Sequence, residues 1–261
     1  MGDRAITPVH VKNVTIGEGA PKIVVPITGR TPDDLRTQVE ALTGVDVDIV
    51  EWRTDFYDTL ADTASVAAQA RDLAGQLAGI PLLATCRTRH EGGEADLSDE
   101  SYADLNVAVA ESGAVDLVDV EYRRDHACVE RILAAAHARK VAVVASNHDF
   151  GGTPAKDEIV ARLVEMQDLG ADICKIAVMP HGTADVLTLL EATRTMHEEL
   201  ADRPIVTMAM GGLGVVSRLA GQVFGSAATF GMVGTASAPG QVDATDLKAA
   251  LTVIDRALTA G

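Results

Sequence analysis

Short apolar runs recur along the whole chain, with helix-periodic segments between them. They fall at Lys22–Ile27, Asp48–Arg53, Pro81–Arg87, Leu117–Tyr122, Val141–His148, Ile173–Met179, Ile205–Met210 and Ala227–Gly231. Successive runs begin about 29 residues apart on average, the length of one strand-plus-helix unit. Eight such units in 261 residues predict an α/β fold, one (β/α)8 barrel domain over residues 1–261, where about 250 residues is typical. A doubly wound open sheet is the rival architecture. Its first strand should be followed by a dinucleotide fingerprint, and Ile27-Thr28-Gly29-Arg30 is not one. Residues 9–19 alternate like a hairpin, so a hairpin within residues 1–20 is expected to plug the bottom of the barrel. Thr31-Pro32-Asp33-Asp34 marks a helix start, with Leu35, Val39 and Leu42 on one face and Gly44 as the stop. Thr153-Pro154 predicts a second start of the same kind, burying Ile159, Leu163 and Met166 before Gly170.

Strands covered on both faces should read as nearly continuous apolar runs. Several of these carry polar residues at their C-terminal ends, where barrel enzymes place their sites. Period-two alternation puts Ile49, Glu51 and Arg53 on one face, and likewise Leu83, Thr85 and Arg87, and Val144, Ser146 and His148. The apolar parity must face the helices, so the polar parity points into the barrel. Lys175 is the sharpest signal, alone among apolar residues in Ile173-Cys174-Lys175-Ile176-Ala177-Val178. A buried ammonium tends to give up its proton, and the neutral amine can form a Schiff base with a carbonyl substrate. The alternative is a structural lysine paired with inward acids such as Glu51, Asp119 or Glu121. Of seven histidines, His148 alone ends a strand; beside that lysine it is a candidate general acid/base, the alternative being a structural histidine. His10, His90, His126, His137, His181 and His197 are read as surface or supporting positions. Met210-Gly211-Gly212-Leu213-Gly214 leads into a helix carrying Arg218, a candidate anion site through backbone N–H groups and a guanidinium fork, the alternative being an ordinary glycine turn and a solvated arginine. The loop Ala236-Ser237-Ala238-Pro239-Gly240-Gln241 is small, polar and free to close over a ligand.

Composition then narrows the partners. Hydrophobic residues make up 47% and charged residues 23%, enough for a sizeable core. The net charge of −16 argues against nucleic acid or an anionic membrane, and 3% aromatics leaves little for base stacking. Cys86, Cys128 and Cys174 have no paired spacing, and no His-x-His or Cys-x-x-Cys pattern occurs, so neither disulfides nor a metal site is expected. No apolar run approaches ~18 residues and no signal-peptide core opens the chain, so a cytoplasmic protein is expected.

Taken in order, these pieces resemble type I 3-dehydroquinate dehydratases. The matching stretches are Glu51-Trp52-Arg53-Thr54-Asp55, Arg87 with Glu91-Gly92-Gly93, Asn147-His148-Asp149-Phe150 and Ala171-Asp172-Ile173-Cys174-Lys175. To these add Ser217-Arg218-Leu219-Ala220-Gly221, Phe224-Gly225-Ser226, Thr229-Phe230-Gly231 and Ala236 to Gln241. The likeness runs from about Pro21 to the C-terminus; a serine is common in the family where Ala209 stands here. The resemblance implies dehydration of 3-dehydroquinate to 3-dehydroshikimate in the shikimate pathway, with no metal or organic cofactor. It implies Lys175 as the imine former, His148 as the proton carrier and Glu91 as the carboxylate that orients it. Arg218 and Gln241 would bind the substrate carboxylate, with Ser237, also substrate-binding, in the same lid. Glu51, Arg53 and Arg87 would line the ring hydroxyls, with Met208, Met210 and Phe230 packing against the ring. A small-molecule substrate and a homodimer are the expected partners. A Schiff-base aldolase and a non-catalytic barrel are the competing readings. Glu91, His148 and Gln241 together favour the dehydratase over the first, and the presence of Lys175 and His148 disfavours the second.

Overall fold

The computed structural model describes residues 6–234 and 237–260. Two short strands, β1 (Val9–Val11) and β2 (Val14–Ile16), pair antiparallel ahead of the barrel. Eight parallel strands follow: β3 (Lys22–Ile27), β4 (Ile49–Arg53), β5 (Leu82–Thr85), β6 (Leu117–Glu121), β7 (Ala142–Asp149), β8 (Ile173–Val178), β9 (Ile205–Ala209) and β10 (Ala228–Met232). Each pairs with the next from β3 to β9, and β10 pairs with β3. The seam between β9 and β10 closes through one bridge, Ile205 to Ser226, where Ala227 N–H donates to Ile205 O at 2.8 Å. All eight expected runs are strands. The third ends two residues early, because the chain turns at Arg87 so that its carbonyl accepts from Ala95 N–H. A two-residue strand, β11 (Val242–Asp243), adds to β10 and has no counterpart in the sequence pattern.

Among the described residues eight α-helices pack outside: α1 (Pro32–Ala41), α2 (Thr63–Gln76), α3 (Asp99–Glu111), α4 (His126–Ala138), α5 (Lys156–Asp168), α6 (Thr183–Thr195), α7 (Val215–Ala220) and α8 (Ala244–Thr259). Among the described residues no helix is long and apolar enough to cross a membrane. α1 starts as its sequence predicts, with a reciprocal cap in which the Thr31 hydroxyl accepts from Asp34 N–H and Asp34 accepts from Thr31 N–H. The second expected start is corrected. α5 begins at Lys156 with Ala155 at the cap, not at Thr153-Pro154. The Thr153 hydroxyl donates to Met179 O at 3.3 Å and is not available to cap, so the acids Asp157 and Glu158 carry the favourable first-turn charge instead.

The hairpin covers the bottom of the barrel. Val11, Val14 and Ile16 join one apolar cluster with Val24, Ile49, Leu83, Leu117, Val144, Ile173 and Val206, the inward residues near the strand N-termini. This floor leaves the opposite end, at the strand C-termini, as the open one. Residues 1–5 of the expected hairpin segment lie outside the described residues.

Candidate active site

The inward parity changes from apolar to polar on moving up each strand. Above the floor, strand register sets Glu51 beside Leu83, Thr85 beside Asp119, and Ser146 beside Lys175. One step higher come Arg53, Arg87, Glu121 and His148, while the helix-facing parity stays mostly apolar, with Asn147 and Thr207 among the exceptions. Of the seven histidines, six are exposed and only His148 is turned into the barrel.

Lys175 is 4% exposed. Its Nζ lies 3.1 Å from Asp119 Oδ2, 4.0 Å from Glu51 Oε1 and 4.5 Å from the centre of the Phe230 ring. The pairing with inward acids, set against a functional role in the sequence, is therefore real, and it holds the amine at the base of the cavity. Asp119 also accepts from Arg87 Nη2 and from the Ser146 hydroxyl, each at 2.6 Å. Burial opposes its charge, yet Arg87 and Lys175 outweigh burial and hold its carboxyl well below the usual range. The Glu51 carboxylate accepts from the Thr85 hydroxyl at 2.9 Å. Arg87 is spent on this network, donating to Asp119, Glu121 and Ser146. Arg53 is held by a bidentate pair to Asp55, both contacts at 2.7 Å.

Glu91 reaches the site because its loop is made tight by glycines. It ends a 3-10 turn, Arg89–Glu91, which Gly92 terminates at φ +79. A Cβ on the next residue, Gly93, would sit 2.1 Å from Arg87 O. Glu91 Oε2 accepts from His148 N–H at 2.9 Å and lies 2.8 Å from His148 Nδ1. Because that oxygen already accepts a backbone hydrogen bond, Nδ1 carries the proton and Nε2 is left bare. Burial, then the Arg87 and Lys175 charges, hold the His148 imidazole neutral, well below the usual histidine range. Burial pushes the Glu91 carboxyl up to about 7 against the opposing pull of Arg87.

Arg218 differs from the other buried cations. It is 2% exposed, yet no carboxylate pairs with it among the described residues. Nη1 contacts Met208 Sδ at 3.6 Å, Nη2 donates to Pro239 O at 3.3 Å, and Nε has no partner. Burial pushes the guanidinium down to about 10, so it stays charged at neutral pH. The expected anion cradle is corrected here: none of Gly211 to Ser217 lines the cavity, and the helix carrying Arg218 is only six residues long. Gly214 serves packing, since a Cβ there would lie 2.1 Å from Ala209 O. The side chain of Arg218 supplies the positive charge instead. Beside it, Ser237 and Gln241 hold one another, with Ser237 N–H donating to Gln241 Oε1 at 2.8 Å. Ala236, at the start of this loop, lies outside the described residues.

All twelve side chains singled out in the sequence line one cavity with about 630 Å³ of empty space, part of it open to solvent. A model of the type I 3-dehydroquinase family matches residues 23–257. The chain belongs to the type I 3-dehydroquinase family. A 3-dehydroquinate dehydratase of Listeria welshimeri is 52% identical over 248 residues, 95% of this chain and 98% of the relative. The solved type I 3-dehydroquinate dehydratase of Clostridium difficile, carrying covalently modified comenic acid, superposes with a TM-score of 0.94. It is 46% identical, covering 97% of this chain and 99% of its own. The corresponding enzyme of Enterococcus faecalis gives 0.89 at 45% identity, covering 94% and 99%.

Within this type I 3-dehydroquinase fold, the cavity wall also contains Thr85, Gly92, Phe150, Ala177, Ala238 and Pro239. Thr85 and Ala177 were readable from strand parity. Phe150 was not, because it lies past the end of β7, where it packs over Gly92 and parity no longer assigns a face.

Proposed function

We propose that this enzyme removes water from 3-dehydroquinate through an imine on Lys175, giving 3-dehydroshikimate. Lys175 gives up a proton so that its amine adds to the substrate ketone, and that proton returns to the carbinolamine hydroxyl as it leaves as water, giving a protonated imine. The imine draws electrons from the adjacent carbon, and His148 Nε2 takes the proton released there. The same imidazolium then returns a proton to the departing hydroxyl, so that hydroxide leaves as water and the ring gains a double bond. Hydrolysis of the conjugated imine frees Lys175 and the product. Asp119, 3.1 Å from Nζ, stabilises the positive nitrogen while the imine exists. Glu91 keeps the proton on Nδ1 and so aims a bare Nε2 at the substrate.

The observation that carries this reading is Arg218, a buried guanidinium lacking a carboxylate in the same cavity as a buried lysine and a neutral histidine. A cation left unpaired in that setting is matched by a ligand anion, and the substrate carboxylate supplies one through a charge-assisted fork. Ser237 and Gln241 close on the same anion. Glu51, Arg53 and Arg87 face the ring hydroxyls, and Met208, Met210 and Phe230 pack the ring. The test is incubation with 3-dehydroquinate while following ultraviolet absorbance of the conjugated enone. Wild-type protein should generate it and Lys175→Met should not; equal rates for the two would reject the reading.

A further inference from the structure

The two residues that flank His148 point away from the cavity, and one buried arginine grips both. Arg162, on α5, is 5% exposed and does not line the cavity. Its Nη1 donates to Asn147 Oδ1 at 2.9 Å and to Asp149 Oδ2 at 3.2 Å, while Nη2 donates to Glu158 one turn back on the helix. Asn147 in turn donates from Nδ2 to Glu91 Oε1 at 3.1 Å. The chain of contacts runs unbroken from Arg162 through Asn147 and Glu91 to His148.

The strand geometry explains why such a support is needed. β6 ends at Glu121, opposite Ser146, so β7 runs past its neighbour on that side. Beyond Ser146 the missing strand is replaced by a single carboxylate, Glu91, which accepts the His148 backbone N–H. A carboxylate in that place has to be held by something other than a ladder. Asn147 can hold it only with its amide turned one way, nitrogen toward Glu91. The opposite orientation would set Oδ1 against a carboxylate oxygen. A guanidinium on Oδ1 fixes the amide and polarises it, making Nδ2–H the stronger donor.

We propose that Arg162 is a positioning residue for the general base, acting through Asn147 on Glu91 and so on the tautomer and aim of His148. This rests on the dehydratase reading above and extends it to a residue that never meets substrate. Glu91 is faced by Arg87 from the β5 end, by Asp119 and Glu121 from β6, and by His148 from β7. Lys175 of β8 and Arg53 of β4 add positive charge around the imidazole. Against that background, Arg162 and Asn147 favour the carboxylate form of Glu91, the form that accepts Nδ1–H. Removing them raises the pH at which that form is lost.

The experiment is the pH profile of kcat for Arg162→Met, Asn147→Leu and the double variant, alongside borohydride trapping with 3-dehydroquinate. For Arg162→Met we expect kcat at neutral pH to fall about tenfold, by analogy with the outer hydrogen-bond partners of metal-bound histidines, whose loss costs roughly 10- to 100-fold. KM should stay within about twofold, because no contact to substrate is lost. The acidic limb should move toward higher pH, with part of the activity recovered in alkali. The double variant should be no worse than Asn147→Leu alone, since the arginine acts through the amide. An unmoved limb, or additive losses, would overturn the relay even if kcat falls. If Arg162→Met does not fold, Arg162→Lys carries the same test, with a limb moved the same way in support and an unmoved limb against. The two readings fail separately. A wild-type protein that neither traps nor turns over substrate rejects the dehydratase, whereas one that does both with an unmoved limb in the variant rejects only the relay.

Discussion

Replacing Arg218 with lysine keeps a positive charge and removes the fork, which isolates what the guanidinium contributes. Among the described residues, Met208 Sδ and Pro239 O are the hydrogen-bond partners of the two terminal nitrogens of Arg218. A substrate carboxylate would therefore meet two parallel N–H donors that are already oriented. A lysine at this position offers one point donor from a shorter, differently directed stem. Losing one charge-assisted hydrogen bond costs about 1.5–3 kcal/mol, or roughly 10- to 150-fold in kcat/KM at ~1.4 kcal/mol per decade. Burial would also push the new amine down, since no carboxylate is there to hold its charge, so the loss should deepen as pH rises. The assay is steady-state kinetics on 3-dehydroquinate and on its methyl ester, which lacks the anion. The variant should lose most on the acid and little on the ester. Equal losses on both would refute the carboxylate assignment and leave Arg218 as a packing residue.

Four other outcomes follow from the same geometry. His148→Ala should retain imine formation yet lose ~10²–10⁴-fold in kcat, measured by steady-state turnover beside reductive trapping; a loss of only a few-fold would reassign the base. In the wild type, kcat/KM should fall as pH drops through about 7, because burial raises Glu91 to about 7 and protonating it removes the acceptor of His148 Nδ1–H. His148 itself stays neutral across that window, its own titration being well below it. Glu91→Gln should lose less rate than His148→Ala and should lack this limb, and a limb that persists in the variant would assign it to another group. Ile16→Ala opens a hole in the barrel floor at a 1% exposed position, so denaturant unfolding should show about 2–5 kcal/mol lost with kcat little changed.

Much of this was legible before the fold was known, because a barrel makes strand parity decisive. A residue two or four positions along a strand from a floor residue faces the cavity whatever the helices do, so Glu51 and Lys175 followed from Ile49 and Ile173, and His148 from Val144. Asp119 lies on the same parity, but as one possible partner of Lys175 it could not be told from Glu51 or Glu121 without distances. Features governed by loop closure were less readable. Thr153-Pro154 carries the same letters as Thr31-Pro32, yet the first threonine is drawn to Met179 and the second caps a helix. The glycine-rich stretch 211–214 looked like an anion cradle, but none of it lines the cavity, and Gly214 is a packing residue against Ala209. Arg162 had no signal at all, because its meaning comes from the way α5 lies against the end of β7.

The central claim is that Lys175 becomes covalently joined to substrate. Borohydride added to enzyme with 3-dehydroquinate should inactivate it, and peptide mass spectrometry should find one reduced ligand on the peptide that carries Lys175. Trapping should vanish in Lys175→Met and persist in His148→Ala. A reduced ligand on any other lysine, or an active enzyme that is never trapped, would contradict the account.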